Sequence, residues 1–274
     1  MMKNNVAIVT GGSEGIGFGI ASALAAQGAH VYLVARTEDK LEAAKSKILK
    51  VGGNADIRPA DITDIKAMKS VIEDIYKEHG RLDIFINNAG TWKGQSLKTP
   101  FEDIWKLIEF DMKAPYEITH YLAGRFKNEK NNNLKILTIV SQAAIEVMGT
   151  SLGYGVAKMG LAAGLFHIEK DLLKAGVKNI QLYRIYPNSV ATEKMIEAMK
   201  THEVMNVVTV ESLATTAINL LQDKTPTRDI RIGYYPGKGI VRINYPSTPE
   251  EFYHATPTSE EVIDAEFKPE DLLR

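Results

Sequence analysis

The chain of 274 residues contains no cysteine. A disulfide framework, a thiol nucleophile and a thiolate metal site are therefore excluded. The six histidines are spread along the chain without a close pair, at positions 30, 79, 120, 167, 202 and 254. We expect no metal site, because the common zinc sites need ligands clustered at short spacing.

The sequence also lacks any apolar run near the roughly 18 residues that a membrane-spanning helix requires, so we expect no membrane span. Its 33 basic and 34 acidic residues give a net charge of −1, and no basic cluster is interleaved with aromatic residues. Nothing in this balance favours nucleic acid or an acidic membrane as a partner. A strand-like run already begins at Val6, which leaves little room for a leader peptide, and we expect a cytoplasmic protein.

What the sequence does contain, near its start, is a short apolar run followed by a glycine-rich turn. Residues 6–9 show no polar alternation, which is typical of a strand covered on both faces. The turn at 10–13 leads into a helix that begins near Gly15, where free backbone N–H groups and the helix dipole suit a pyrophosphate. The residues expected to contact a dinucleotide here are Gly11, Ser13, Glu14, Gly15, Ile16 and Gly17. On its own, the segment is also compatible with a purely structural turn.

The end of the next buried-type strand, His30 to Ala35, predicts which cofactor is bound. An acidic residue there would bind the 2′-hydroxyl of NAD, whereas an arginine accommodates the 2′-phosphate of NADP. Arg36 and Thr37 follow the strand, so NADP(H) is favoured. The alternatives are that Arg36 is only a solvated loop residue, or that Glu38 or Asp39 reaches the ribose.

Three further markers follow along the chain: N-N-A-G at 87–90, a serine at 141, and Y-x-x-x-K at 154–158. On a helix, side chains four residues apart share one face at about 5–6 Å between Cβ atoms, so Tyr154 and Lys158 would be neighbours. Together with T-G-x-x-x-G-x-G at 10–17, this order of markers resembles the short-chain dehydrogenase/reductase family.

The resemblance implies a doubly wound, single-domain Rossmann-type α/β fold, with a mostly parallel seven-stranded sheet and helices on both faces. Length and a hydrophobic content of 45% agree with one large core. We expect the dinucleotide-binding and catalytic domain to cover residues 1–245. Residues 246–274 are acidic and proline-containing, and we expect either a mobile tail or a segment over a neighbouring subunit's cleft, anchored by Phe252, Tyr253 and Phe267.

The resemblance also implies the roles of individual residues. Tyr154 would be the general acid or base, Ser141 would hydrogen-bond the carbonyl oxygen, and Lys158 would bind the nicotinamide ribose and stabilise the tyrosinate. The remaining cofactor contacts would be Asp61, Ile62, Asn88, Ala89, Gly90, Pro187, Val190 and Thr192, with Tyr154 and Lys158. The alternative role of Asp61 is that of a helix cap.

Two positions depart from the family pattern. Asp111 stands where a catalytic asparagine is usual, and Asn188 replaces a glycine, which we expect to be tolerated because asparagine enters positive-φ regions. The hypothesis for Asp111 is that its carboxylate approaches Lys158 and weakens the positive field at Tyr154. The alternative is that its side chain only caps a helix break.

The sequence therefore predicts an oxidoreductase that transfers a hydride between NADP(H) and a carbonyl or secondary-alcohol substrate. The apolar residues Met195, Ile196 and Met199 in a segment at 193–204 suggest a substrate lid and a partly hydrophobic ketone or 3-ketoacyl compound. That segment is equally compatible with a helix packed on the core. The alternative function is an NADP(H)-binding sensor or scaffold with weak or lost catalysis.

We expect a homodimer or homotetramer, because relatives pair through the two long helices that begin near Pro100 and Gly153. Small residues that would permit close approach are Gly155, Ala162, Ala163 and Gly164.

Overall fold

The computed structural model of the chain describes residues 2–129, 131–147, 149, 151–200, 207–225, 227–245, 257–269 and 272. Its strands are β1 (Val6–Thr10), β2 (His30–Ala35), β3 (Asn54–Pro59), β4 (Ile84–Asn87), β5 (Leu134–Ile139), β6 (Ile180–Pro187), β7 (Ser189–Ala191), β8 (Val207–Thr209), β9 (Asp229–Tyr235), β10 (Gly239–Tyr245) and β11 (Ser259–Asp264). Its α-helices are α1 (Gly15–Ala26), α2 (Glu38–Lys50), α3 (Ile65–His79), α4 (Phe101–Ile108), α5 (Ala114–Phe126), α6 (Leu152–Lys174), α7 (Glu193–Met199) and α8 (Val210–Leu221).

The central sheet has the order β11-β10-β9-β6-β5-β4-β1-β2-β3. All neighbours from β3 to β9 are parallel. The direction of winding reverses between β1 and β4, and in such sheets ligands bind outside the carboxyl ends of the strands at this point. The predicted Rossmann-type fold is confirmed.

Strand β1 is buried on both faces, as its apolar run predicts. Ala7 and Val9 belong to the core cluster that α1, α2 and α8 cover. Val6 and Ile8 belong to the opposite cluster, which α3, α5 and α6 cover. Because successive side chains on a strand point to opposite faces, only a continuous apolar run satisfies both layers.

The predicted number of seven strands is wrong, because the described residues form a sheet of nine. Strands β10 and β11 extend it as antiparallel neighbours of β9 and of each other. Strand β11 lies within the range expected to be a tail, and Phe267 beyond it contacts the ring of Tyr234, with ring centroids 6.0 Å apart. The other expected anchors, Phe252 and Tyr253, lie outside the described residues.

The long helix predicted to begin near Pro100 is interrupted. Between α4 and α5 the backbone forms a π-helical segment, Glu109–Lys113, that contains Asp111. Such single π turns inside α-helices are frequent at functional sites. The interruption turns the fully buried Asp111 side chain toward Thr91, just beyond the carboxyl end of β4.

Candidate active site

The glycine-rich turn between β1 and α1 has a shape that side chains would block. Gly11 and Gly15 have positive φ values of 64° and 57°, which glycine adopts without strain. A Cβ atom on Gly17 would lie 2.2 Å from the carbonyl oxygen of Gly11. The turn is therefore folded tightly onto the start of α1, where the first backbone N–H groups of a helix have no partner within the helix.

The N-A-G segment after β4 is fastened to this turn by hydrogen bonds. The Thr10 hydroxyl oxygen accepts bonds from the backbone N–H of Asn88 and of Ala89, at 3.0 and 3.1 Å. The Asn88 amide donates to the carbonyl oxygen of Thr10 at 2.9 Å. These bonds bring the carboxyl ends of β1 and β4 together, so Asn88, Ala89 and Gly90 stand beside the glycine turn.

The residues predicted for the adenosine end lie around the carboxyl end of β2. Arg36 is exposed, and its Nη1 lies 3.8 Å from Asp61 Oδ2. Asp61 accepts bonds from the backbone and hydroxyl of Thr63, whereas the cap of α3 is Asp64. The structure thus brings Arg36 and Asp61 together, and Asp61 does not cap the helix. Thr37 immediately precedes α2, and Ile62 is buried in the core.

The predicted catalytic pair lies on α6, one turn apart. The Nζ of Lys158 is 5.5 Å from the ring centroid of Tyr154, which is half-buried. Lys158 itself is 4% exposed. A buried ammonium group needs a partner, and this one finds it in the π-helical segment.

Asp111 is that partner. Its Oδ1 lies 3.1 Å from Lys158 Nζ, and it accepts a hydrogen bond from the backbone N–H of Thr91 at 3.1 Å. Burial lowers the pKa of Lys158, but Asp111 and Tyr154 together raise it and the net shift is upward, so the lysine stays charged. A Cβ atom on Gly90 would lie 2.8 Å from Asp111 Oδ1, so only glycine leaves room for the pair.

Ser141 follows β5 directly after Val140. It is 8% exposed, and its hydroxyl oxygen accepts a bond from the backbone N–H of Ala143 at 3.1 Å. This bond caps a short 3₁₀ turn, Gln142–Ala144. A hydroxyl that accepts one bond keeps its proton for donation. Ser141 and the helix with Tyr154 and Lys158 thus lie at the same carboxyl edge of the sheet.

The sequence profile of the short chain dehydrogenase family matches residues 5–216, which is most of the chain. The chain belongs to the short-chain dehydrogenase family. This places the glycine turn, the N-N-A-G segment and the Tyr154–Lys158 helix in one known oxidoreductase family.

Individual proteins similar to this short-chain dehydrogenase include two curated reductases and one crystal structure. The fatty acyl-CoA reductase of Acinetobacter baylyi is 31% identical over 66% of this chain and 62% of its own length. The 3-oxoacyl-acyl-carrier-protein reductase FabG of Escherichia coli is 28% identical over 64% and 70%. A metagenomic short-chain oxidoreductase in complex with NADP is 26% identical, covering 84% of this chain and 97% of its own, with a TM-score of 0.69. The chain thus spans less than two thirds of the fatty acyl-CoA reductase.

The residues predicted to contact the nicotinamide in this short-chain dehydrogenase lie between β6 and α7. Pro187 ends β6, and Val190 on β7 is buried in the core. Thr192 caps α7 by accepting a bond from the backbone N–H of Met195 at 3.3 Å. A Cβ atom on Gly15 would lie 3.1 Å from Thr192 Cγ2, so this segment touches the glycine turn.

The expectation that Asn188 uses a positive φ is wrong. The residues with positive φ do not include Asn188. Its backbone N–H continues the pairing with β9 by donating to Ile232 O at 2.9 Å, and its side-chain amide lies against Gly233. The backbone is therefore unstrained, and a glycine on the neighbouring strand makes the space for the larger residue.

Sequence reasoning missed the ion pairs that Glu14 makes where the glycine turn meets α1. Glu14 Oε2 lies 2.8 Å from Lys40 Nζ of α2, and Oε1 lies 2.5 Å from Lys194 Nζ of α7. Hydrogen bonds from Lys194, and then from Lys40, lower the pKa of Glu14. The partners lie 26 and 180 residues away in sequence, so no local pattern could have indicated them.

Sequence reasoning also missed Gln95, which holds the start of α6. Gln95 is 3% exposed, and its Oε1 accepts a bond from the backbone N–H of Gly153 at 2.7 Å. A Cβ atom on Gly153 would lie 2.7 Å from that oxygen. Gln95 therefore fixes the first turn of the helix that carries Tyr154, and this contact joins segments 58 residues apart, which no local sequence pattern indicates.

The segment predicted as a lid is α7 in its described part, and residues 201–204 lie outside that part. Met199 is buried, whereas Met195 and Ile196 are half-buried.

No helix among the described residues is long and apolar enough to cross a membrane.

Proposed function

We propose that this short-chain dehydrogenase interconverts a carbonyl compound and the corresponding secondary alcohol with NADP(H). The observation that carries the proposal is the buried Lys158 ammonium, held by Asp111 at 3.1 Å and lying 5.5 Å from the ring centroid of Tyr154. A cation at this place favours the phenolate. Tyr154 can then exchange a proton with the substrate oxygen.

The residues present fit a dinucleotide. The glycine turn requires glycine at 11 and 17, since a Cβ atom on either would lie within 2.8 Å of the Asn88 amide, and it therefore presents bare backbone to a ligand. The start of α1 would hold the pyrophosphate, and Lys158 would hold the nicotinamide ribose. When bound, the nicotinamide supplies or accepts the hydride.

The chain's own groups then carry the proton. In reduction, Tyr154 donates its phenolic proton to the substrate oxygen, while Ser141 donates a hydrogen bond to the same oxygen and fixes its position. In oxidation, the tyrosinate takes the proton from the alcohol. Lys158 favours the phenolate in both directions because its charge stands one helical turn away.

The preference for NADP(H) over NAD(H) rests on the absence of an acidic residue at the end of β2. Ala35 ends the strand, and the exposed guanidinium of Arg36 follows it. Glu38 and Asp39 belong to the first turn of α2. The complex of the similar metagenomic oxidoreductase with NADP supports the same assignment.

For the substrate, we propose a partly hydrophobic ketone or 3-ketoacyl compound. Met195 and Ile196 on α7 are half-buried beside the nicotinamide segment. The two curated relatives are named as a fatty acyl-CoA reductase and a 3-oxoacyl-acyl-carrier-protein reductase.

The second candidate function is a nucleotide sensor or scaffold. The observation that favours it is the ion pair between the Asp111 carboxylate and the Lys158 ammonium. This ion pair makes the lysine less available to the cofactor and to Tyr154.

A substrate panel separates the two functions. Ketones, 3-ketoacyl thioesters and sugar-like carbonyls are each incubated with NADPH and with NADH, and cofactor oxidation is followed by absorbance. We expect NADPH oxidation with at least one apolar ketone or 3-ketoacyl thioester. Micromolar NADPH binding without oxidation in any reaction would favour the sensor.

A further inference from the structure

The segment that begins with Ser141 is a single hydrogen-bonded unit that ends at Glu146. The backbone N–H of Ala144 donates to Ser141 O at 3.0 Å, and that of Glu146 donates to Gln142 O at 3.0 Å. The side-chain amide of Gln142 donates to the Glu146 carboxylate. Because each end is bonded to the same short turn, a displacement of Glu146 displaces Ser141.

Arg231, on β9, forms an ion pair with the last residue of this 141–146 segment. Its Nη1 lies 2.6 Å from Glu146 Oε1, and the arginine side chain is 12% exposed whereas the glutamate is 45% exposed. Strand β9 is an inner strand paired with β6 and β10. The guanidinium carbon also lies 5.8 Å from the ring centroid of Tyr235. The rigid partner of the pair is therefore Arg231, and the movable partner is the serine segment.

The orientation of the Arg231 side chain leaves one of its N–H donors unpaired among the described residues. Its Nε atom is buried and has no hydrogen-bond partner among the described residues. A buried donor left unpaired costs free energy. Burial lowers the pKa of Arg231, but Tyr235, Glu146 and Tyr245 together raise it, so the guanidinium stays charged and Glu146 is the carboxylate that pairs with it.

We propose that Arg231 is a positioning residue for Ser141: through Glu146, it fixes the 141–146 segment against β9 and so sets the place of the serine hydroxyl. The inference rests on the proposed function, in which that hydroxyl binds the substrate oxygen. Among the described residues, no hydrogen bond or ion pair joins Arg231 to Ser141, Tyr154 or Lys158, so it would act through the segment. It couples β9 to the catalytic centre.

The test is a double-mutant cycle with Arg231→Met and Ser141→Ala, measured with the best substrate of the panel. Arg231→Met removes the charge and keeps an apolar stem. We expect kcat to fall by about 10- to 100-fold, the range that a misplaced catalytic group produces, with the Kd for NADPH unchanged within about twofold. If Arg231 acts through Ser141, adding Arg231→Met to Ser141→Ala lowers kcat no further.

The matched control is Arg242→Met on β10. Arg242 pairs in register with Ile232, the neighbour of Arg231, so its side chain points to the opposite face of the sheet, where it binds Glu261. We expect its kcat to stay near that of the wild type. Glu146→Gln provides a second, milder variant should Arg231→Met fail to fold, and we expect it to lower kcat in the same direction.

Two results would overturn this inference and leave the proposed function standing. One is an unchanged kcat in both Arg231→Met and Glu146→Gln. The other is a loss of kcat on Arg231→Met that is equally large in the wild type and in the Ser141→Ala background. Restoration of kcat by the charge exchange Arg231→Glu with Glu146→Arg would support it. Full turnover in Tyr154→Phe would overturn the proposed function, and the inference with it.

Discussion

At the scale of single residues, the charge balance around Lys158 distinguishes this chain from the family pattern. The hypothesis from the sequence requires the Asp111 carboxylate to approach Lys158, and in the structure Asp111 Oδ1 lies 3.1 Å from the ammonium. An asparagine at 111 would leave the positive field of Lys158 uncompensated, and the field would then favour a tyrosinate at 154 more strongly.

We therefore predict that Asp111→Asn shifts the rising, low-pH limb of the alcohol-oxidation pH profile to lower pH by a fraction of a unit to about one unit, because that limb follows formation of the tyrosinate. Each unit corresponds to about 1.4 kcal/mol. The measurement is kcat/KM against pH, with Asp103→Asn as control, because Asp103 is a half-exposed aspartate of α4. A profile that superimposes on the wild type would show that Asp111 serves only the helix interruption.

Arg36 is the residue on which cofactor choice rests. We predict that Arg36→Ala weakens NADPH binding by about 1–3 kcal/mol, the scale of hydrogen bonds to charged groups. NADH lacks the 2′-phosphate, so its binding should change little and it serves as the internal control. Titration of both cofactors by fluorescence measures the difference. Equal losses would show that Arg36 does not bind the phosphate.

At the scale of elements, the segment after β4 determines whether the Asp111–Lys158 pair can form. We predict that Gly90→Ala lowers both turnover and thermal stability, because its Cβ would lie 2.8 Å from Asp111 Oδ1 and 3.3 Å from Lys158 Nζ. Gly94→Ala in the same loop is the control, since its nearest atom would be 3.7 Å away. Turnover and melting temperature of Gly90→Ala equal to those of Gly94→Ala would refute this account.

The elements also show how far sequence reasoning reaches. Strand β1 and its turn were predictable, because a run buried on both faces and glycines at forced positions leave a local pattern. Strand β11 was not, because it is an exposed edge strand whose charged residues, S-E-E-V-I-D, have the composition of a mobile tail. The contacts of Asp111 with Lys158 and of Arg231 with Glu146 join distant segments, and only the fold reveals them.

At the scale of the whole molecule, the small residues expected at a subunit interface require a correction. Ala162 is fully buried within the chain, and a Cβ atom on Gly164 would lie 2.7 Å from the ring of Tyr116 in the same chain. These two residues therefore serve packing inside the subunit. Gly155 has open space, with no atom within 4 Å of its Cβ position, and Ala163 is half-buried.

Exposed apolar side chains on the same helices still support a homo-oligomer. Phe101 and Trp105 of α4 are 68% and 49% exposed, and Val156 of α6 is 55% exposed. We predict a mass of at least twice the 30.3 kDa monomer at micromolar concentration by light scattering. Trp105→Glu should shift the mass toward the monomer, and Val51→Glu, on the 80% exposed residue after α2, should not. A wild-type monomer would contradict the prediction.

The central claim, that this fold carries out proton transfer at Tyr154, has one direct test. Tyr154→Phe removes only the phenolic oxygen from α6. We predict that NADPH-dependent reduction of the best substrate falls by at least about 100-fold, within the range for loss of a general acid, while NADPH binding stays within a few-fold of the wild type. Tyr116→Phe on α5 is the control and should keep full turnover. Undiminished turnover in Tyr154→Phe would contradict the account.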